Sequence, residues 1–451
     1  MMAAKRGILY ANIRKEVVTL HSLWEETASL PAFDSLKGDA KVDVLIIGGG
    51  MAGVLTAHAL HQRGIRYALV ESGRIGGGVT GHTTAKLTAQ HGLIYHKLLR
   101  TFGPEKARLY WQANEAALER YEHLCRDIPC DFTRQDSFVY TLEDRSALLE
   151  ERNALREIGV AAELTEALPL PLSTAGAVKV ANQGQFHPLK FLSALSQGLN
   201  LHENTPVREL ADHTAYTDYG KITADKLIVA THFPFLNKHG SYFLKLYQHR
   251  SYVLALENAP PLSGMYVDDS GTGLSFRSYE NLLLLGGGGH RTGKQGGNWT
   301  ELRAFAKAHY PAAKEVAHWA TQDCMTLDGA PYIGQYAGST PDLYVATGFN
   351  KWGMTSSMVS ATLLADLVEG KSNPYASLFS PSRTILRPQL AANAWEATIS
   401  LLTPTAKRCP HLGCALKWNP AERTWDCPCH GSRFAQDGHL LDNPAPGGLQ
   451  E

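Results

Sequence analysis

The segment that most constrains this chain lies near its start. A short apolar run, Val42 to Ile47, ends in three glycines and passes directly into a helix-forming stretch that begins at Met51 and stops at Gly64. So compact a run of valine, leucine and isoleucine reads as a buried parallel strand. Residues 65–73 read as a second strand, and together these pieces form one βαβ unit. Its turn, Gly48-Gly-Gly50-Met-Ala-Gly53, matches G-x-G-x-x-G. Gly48 permits the tight turn, Gly50 lets backbone approach a pyrophosphate, and Gly53 lets helix and strand pack closely. The N–H groups around Met51 and Ala52 and the positive helix end then face the phosphates. Glu71, 18 residues after Gly53, is placed to accept hydrogen bonds from ribose hydroxyls and to repel a 2′-phosphate. This pattern specifies a dinucleotide without choosing between FAD and NAD.

A chain of 451 residues holds two or three domains. Its 43 basic residues balance 43 acidic ones, so no bulk field draws it to nucleic acid or to an anionic membrane. The N-terminus has basic residues but no continuous apolar core of a secretion signal. The most apolar run, Val44 to Ala57, is too short and glycine-rich to span a membrane. The expected location is the cytoplasm, where Cys125, Cys130 and Cys324 are expected to stay reduced.

Residues 1–40 read as a lead-in with one aromatic patch at Leu23 and Trp24. Residues 100–160 read as helix-rich, with heptad-like apolar spacing and i,i+4 charge pairs. Residues 221–231 and 279–289 read as strands, and 341–369 as strand, loop and helix. A Pro/Ser/Asn-rich stretch from Ser372 to Arg387 reads as a linker. The expected division is a lead-in (1–40), a cofactor- and substrate-binding part (41–375, its substrate portions about 100–170 and 240–320), a linker (376–400) and a C-terminal module (401–451).

That module contains CPHLGC, Cys409 to Cys414, and CPCHGS, Cys427 to Ser432. The pairing of Cys-x-His with Cys-x-x-His suits a 2Fe-2S centre of Rieske type, with Cys409 and Cys427 on one iron and His411 and His430 on the other. Neutral imidazoles in place of two thiolates remove negative charge and raise the potential. A Cys2His2 zinc site would use the same residue types. Zinc, however, has no need of the extra pair Cys414 and Cys429, nor of Gly413 and Gly431 beside the ligands.

The residues after Glu71 choose the dinucleotide. The segment from Arg74 to Lys86, RIGGGVTGHTTAK, is a second Gly/Thr-rich stretch. It resembles the flavin-contacting loop of the D-amino-acid-oxidase-like (DAO) family, which includes glycine, sarcosine and gamma-glutamylputrescine oxidases. LIVATH (Leu227 to His232), TLDGAPYIG (Thr326 to Gly334) and ATGFNKWGMT (Ala346 to Thr355) resemble further segments of that family, and the likeness covers roughly residues 20–370. GHTTAKLTAQHGLIYHKL, GGGGHRTGK and GFNKWGMT are similar to a bacterial subset that carries a C-terminal Rieske domain. The resemblance implies a Rossmann-like α/β (α+β) FAD domain, an interleaved substrate domain of mixed sheet and helices, and a small β-rich Rieske module. It implies FAD, held by the glycine turn with Ser72, Arg74, Thr80, His82, Thr83, Thr84, Val207, Ala230, Gly353, Met354 and Thr355. It further implies a disulfide between Cys414 and Cys429.

Two departures from the Rieske pattern stand out. Ser432 is present to donate toward a bridging sulfide, but Phe434 stands where respiratory relatives carry tyrosine, and a missing donor lowers the potential. The segment before Cys409 is short and partly helical, so the base sheet is expected to be incomplete. So small a module has little core and is expected to lean on its cluster and on the flavin domain.

For catalysis the candidates are Lys351, a cation near the isoalloxazine; Arg277, a carboxylate clamp; and His290, near flavin or substrate. Cys324 stands at a different offset from the cysteine that tethers FAD in sarcosine oxidases, so no covalent link is expected. His91 and His96 suggest a mononuclear iron, but Thr88 stands where a carboxylate would complete that triad. The expected activity is oxidation of a C–N bond in an amine or amino acid, with electrons passing from FAD to the cluster and then singly to an external acceptor. The alternatives are a flavo-iron-sulfur sensor or carrier without organic substrate, and a peroxide-forming amine oxidase.

Overall fold

The computed structural model describes residues 21–236, 239–269 and 273–449. The first twenty residues of the expected lead-in lie outside that range. The βαβ unit forms the heart of an eight-stranded sheet. Its first strand, Ala40–Ile47, runs parallel to Tyr67–Val70 on one side and Gly220–Val229 on the other. Leu343–Thr347 continues the parallel set, and Tyr332–Gln335 closes that edge antiparallel. The helices Met51–Gln62 and Gly353–Val368 pack against each other beside this sheet. Both are apolar around most of their circumference, as deeply buried helices must be. Arg63, at the C-cap of the first, pairs with Asp366 at 2.7 Å and with Glu369.

The second sheet has nine strands. Its order is Lys314–Thr326, Leu246–Glu257, Leu282–Arg291, Ser275–Tyr279, Met265–Asp268, Thr133–Thr141, Gly176–Gln185 and Lys86–Leu87, with Glu163–Thr165 beside Gly176–Gln185. Period-two alternation splits its faces. Tyr252, Leu254 and Leu256 join a core with Trp299 and Leu302 of helix Trp299–His309, while Val253 and Ala255 face the main core shared with the nucleotide helices. The helix-rich reading of 100–160 matches helices Tyr95–Cys125 and Arg145–Glu157, but strand Thr133–Thr141 lies between them. The first four residues of that strand are exposed or half-buried and polar, so no alternation announces it. The longer helix breaks at Gly103 (φ +82°), where Pro104 removes a backbone donor. Cys125 and Cys130 are free thiols with their sulfurs 3.3 Å apart.

Within 376–400, where a linker is expected, the chain forms the short helix Ala376–Phe379 and most of helix Pro388–Leu402. Beyond it, four strands of three residues each make a small antiparallel sheet. The buried core of this module has seven hydrophobic residues, four of them cysteines, among those described. So little apolar surface cannot hold a fold alone. The deficit is made up at the seam with the nine-stranded sheet. Glu422 accepts from Arg250, Tyr252 and Arg433, all buried. Gln322 Nε2 donates to the Gly431 carbonyl at 2.9 Å, and Arg291 donates to the carbonyls of Pro428 and Cys429 at 2.9 and 3.1 Å.

Burial pushes the Glu422 carboxyl up, but the Arg250 and Arg433 guanidiniums outweigh it and hold the group at about 2. Because the folded value is depressed, its stabilisation is complete above the ordinary 4.5 and fades as pH falls toward about 2. Glu422→Gln leaves buried Arg250 short of the anion it pairs with, while Arg433 keeps Asp426 and Asp442, and is expected to cost about 3 kcal/mol. Thermal unfolding and limited proteolysis of the C-terminal module at neutral pH check this. The variant should also lose the wild-type acid transition between those two pH values.

Candidate functional site

The glycine turn forms a bare cradle. Gly48 has φ +114°, and a Cβ there would lie 2.5 Å from the Ala230 carbonyl oxygen; one on Gly53 would meet the Gly48 oxygen. Thr80 Oγ1 accepts from the Met51 N–H at 2.9 Å. Glu71 directly follows the second strand, with one oxygen on the Gly49 N–H (2.7 Å) and the other on the Gly73 N–H (2.8 Å) and the Ser72 hydroxyl. The carboxylate therefore orders the turn and keeps lone pairs for a hydroxyl. Arg74 pairs with buried Glu203 at 3.0 Å.

The Gly/Thr-rich loop is harnessed from behind. The carbonyls of His82 and Thr83 accept from the indoles of Trp319 (2.9 Å) and Trp24 (2.7 Å), and those of Thr84 and Ala85 from Arg277 Nη1 (2.6 and 2.8 Å). Four successive oxygens are thus taken by side chains. Arg277 is fully buried beneath the rings of Trp24 and Tyr279 and stands behind the loop, outside the cavity lining, unlike the substrate clamp expected of it. His82 turns its ring to the Gly78 carbonyl and Glu25.

In front of the loop lies a cavity of about 1850 Å³. It is lined by Gly48, Gly50, Met51, Ala52, Glu71, Ser72, Arg74, Thr80, Thr83, Thr84, Val207, Ala230, Gly353 and Met354, all expected cofactor residues. Thr355 is buried behind them, its hydroxyl near His91 Nε2 at 3.1 Å. Lys351 reaches the cavity and donates to Ser251 Oγ at 2.9 Å, with Asp323 at 3.9 Å. His290 is stacked on Tyr252, its Nδ1 3.0 Å from the Gly288 carbonyl. His91 meets Tyr110 at 2.7 Å, and His96 meets Glu151 at 2.8 Å.

Among the polar lining residues that sequence reasoning missed are Lys86, His249 and Asp323. Lys86 is buried beside Arg277, and desolvation with that neighbouring charge pushes its amine down to about 7. Burial, then Lys351, lowers His249 to about 3, while burial raises Asp323. The signal for His249 was available: Tyr247, His249, Ser251 and Val253 alternate along one strand and all line the cavity. Cys324 also lines it, its thiol pushed up to about 12 by burial.

The two cysteine loops repeat one geometry. Gly413 N–H donates to the Cys409 carbonyl and Gly431 N–H to the Cys427 carbonyl, each at 2.9 Å. The N–H groups of His411 and Leu412 point at the Cys409 sulfur, and those of Cys429 and His430 at the Cys427 sulfur. His411 Nδ1 and His430 Nδ1 converge to 3.2 Å, and burial holds both rings neutral at about 4 and 3. Cys414 and Cys429 are joined by a disulfide. The sulfurs of Cys414, Cys427 and Cys429 also cluster within 4.8 Å, but two of these are bonded to each other and cannot serve as thiolate ligands. Two thiols with convergent amides facing two neutral imidazoles fit a Rieske 2Fe-2S cluster.

The chain matches the family model of the DAO FAD dependent oxidoreductases over residues 43–367 and that of the Rieske 2Fe-2S domain over 401–451. It belongs to the DAO family of FAD-dependent oxidoreductases and carries a C-terminal Rieske domain, with FAD and a 2Fe-2S cluster as its cofactors. YhfW of Bacillus subtilis (strain 168), described as a Rieske 2Fe-2S iron-sulfur protein, is 35% identical over 94% of this chain and 95% of its own. Cytochrome b6-f complex iron-sulfur subunit 3 of Nostoc sp. is 36% identical over 19% of this chain and 51% of its own. Among solved structures, glycine oxidase from Geobacillus kaustophilus superposes with a TM-score of 0.65 at 23% identity, covering 77% of this chain and 100% of that one. L-proline dehydrogenase from P. horikoshii gives 0.63 at 18%, covering 76% and 98%. These two establish the likeness of fold.

Gly48→Ala should yield protein that retains the cluster spectrum but purifies without flavin, measured by releasing FAD from acid-denatured samples. Phe434→Tyr adds a donor within the cluster core; one hydrogen bond of about 1 kcal/mol corresponds to a one-electron midpoint raised by roughly 40 mV, read by redox titration.

Proposed function

We propose that this chain oxidises a C–N bond of an amine or amino acid and passes the electrons through the Rieske cluster to an external acceptor. Bound FAD would supply hydride acceptance, and a cluster held by Cys409, Cys427, His411 and His430 would supply single-electron transfer. The observation that carries the reading is that both cofactor regions border one cavity: Gly48 and Glu71 line it together with Asp442, Asn443 and Ala445 of the Rieske module. Several residues bind the two regions closely. Gln248 donates to the His430 carbonyl at 2.8 Å, and Asn443 Nδ2 donates to the Thr231 and Phe233 carbonyls at 3.0 and 2.8 Å. Thr231 directly follows Ala230, whose carbonyl faces Gly48. In this reading Lys351 and Asp323 present a charged pair to the cavity, neutral His249 offers an acceptor, and Lys86 supplies an amine within reach of titration near neutrality.

An amine and amino-acid panel tests the proposal by anaerobic mixing with the oxidised holoprotein. Bleaching of the flavin followed by appearance of the reduced-cluster EPR signal is the expected sequence. Flavin that no substrate bleaches, but that a reductase partner reduces, would overturn the enzyme reading in favour of a carrier. Stoichiometric peroxide in air without cluster reduction would favour an oxidase.

A further inference from the structure

Helix Pro388–Leu402 is built inside out. The residues it buries are Asn393, Glu396 and Ser400, and each is engaged inward: Asn393 Oδ1 accepts from Arg291 at 2.8 Å, Glu396 pairs with Lys294 at 2.5 Å, and the Ser400 carbonyl accepts from the Ala415 N–H at 3.1 Å. Its large outward residues are apolar, with Trp395 67%, Ile399 42%, Leu401 48% and Leu402 77% exposed. A solvent-facing helix ordinarily reverses this arrangement, and a contiguous apolar patch marks a surface that something covers.

The patch adjoins the cluster. Leu412, 42% exposed, directly follows the ligand His411. Arg408 ties the two segments together, donating to the Leu401 and Gly413 carbonyls at 3.3 and 2.8 Å. The opposite side of the cluster loops is sealed against the flavin domain. His430 Nε2 lies 3.0 Å from the Phe243 carbonyl, and Phe233 sits edge-on to both ligand rings. Glu396 of the helix is turned inward onto Lys294, and the exposed charges of the segment that carries Ile399, Leu401, Leu402 and Leu412 have one sign. Between Ala397 and Ala421 the chain carries Lys407, Arg408 and Lys417, all exposed, and no Asp or Glu. A second copy of this chain would set that basic fringe against its own like charges, whereas an acidic partner would be steered in.

We infer that helix Pro388–Leu402, with Leu412 and the Lys407/Arg408/Lys417 fringe, docks an acidic one-electron carrier protein that exchanges electrons with the cluster. The inference rests on the electron-transfer reading above, and its test bypasses the flavin. Holoprotein with its cluster reduced by dithionite, then freed of reductant, is mixed in a stopped-flow instrument with an oxidised acidic blue-copper protein. A basic cytochrome c and ferricyanide serve as comparison acceptors. The acidic carrier should be reduced about tenfold faster than the basic one at low salt, and that advantage should vanish at high salt. Trp395→Ser and Ile399→Ser should each slow the acidic carrier about tenfold while leaving the ferricyanide rate and the cluster EPR spectrum unchanged. Equal rates for variant and wild type would overturn the proposal. So would light scattering that shows a dimer which these substitutions split, since the patch would then be a self-interface. Failure of flavin to reduce the cluster would appear in the amine experiment and not in this one.

Discussion

The architecture depends on a module too small to stand alone being clamped to a large sheet by buried polar groups. Glu422 between Arg250 and Arg433 is the centre of that clamp. Buried charges of this kind add little stability over an apolar core but are intolerant of partial loss, so they fix register. Gln248 shows the precision required. Its side chain bonds the His430 carbonyl, and a Cβ on Gly431 would lie 2.6 Å from its own Cβ. Only glycine, at φ +81°, lets the cluster loop come so near.

A comparable logic governs the flavin loop. Its carbonyls point into a wall of indoles and one guanidinium, so its conformation is set by the nine-stranded sheet and by the short N-terminal helix that carries Trp24. Both cofactor sites are therefore shaped by residues distant in sequence, and the nine-stranded sheet is common to them.

The glycine fingerprint, the Gly/Thr loop and the cysteine loops were legible because each is local: spacing along the chain equals spacing in space. The strands at 221–231 and 279–289 were legible for the same reason, through the compact apolar runs Leu227 to Ala230 and Leu282 to Leu285. The role of Arg277 was not, because nothing around Ser275–Tyr279 reveals that its side chain crosses to residues 84 and 85. The alternation around His249 was local, but Asp323 was missed because its place comes from the pairing of two antiparallel strands, which sets it opposite His249. Helix Pro388–Leu402 was half seen. The segment before Cys409 reads as partly helical, but 376–400 also reads as a linker, and only the docked partners of Asn393 and Glu396 show which face is buried.

The disulfide between Cys414 and Cys429 gains a further meaning from its setting. Both sulfur-bearing residues are almost wholly covered, and the backbone of Cys429 is held by Arg291 of the neighbouring sheet. A small thiol reductant approaching from solution finds the bond shielded for as long as the seam stays closed. The seam thus doubles as a kinetic guard, and reduction of the bridge proceeds only at the pace at which the two parts breathe apart.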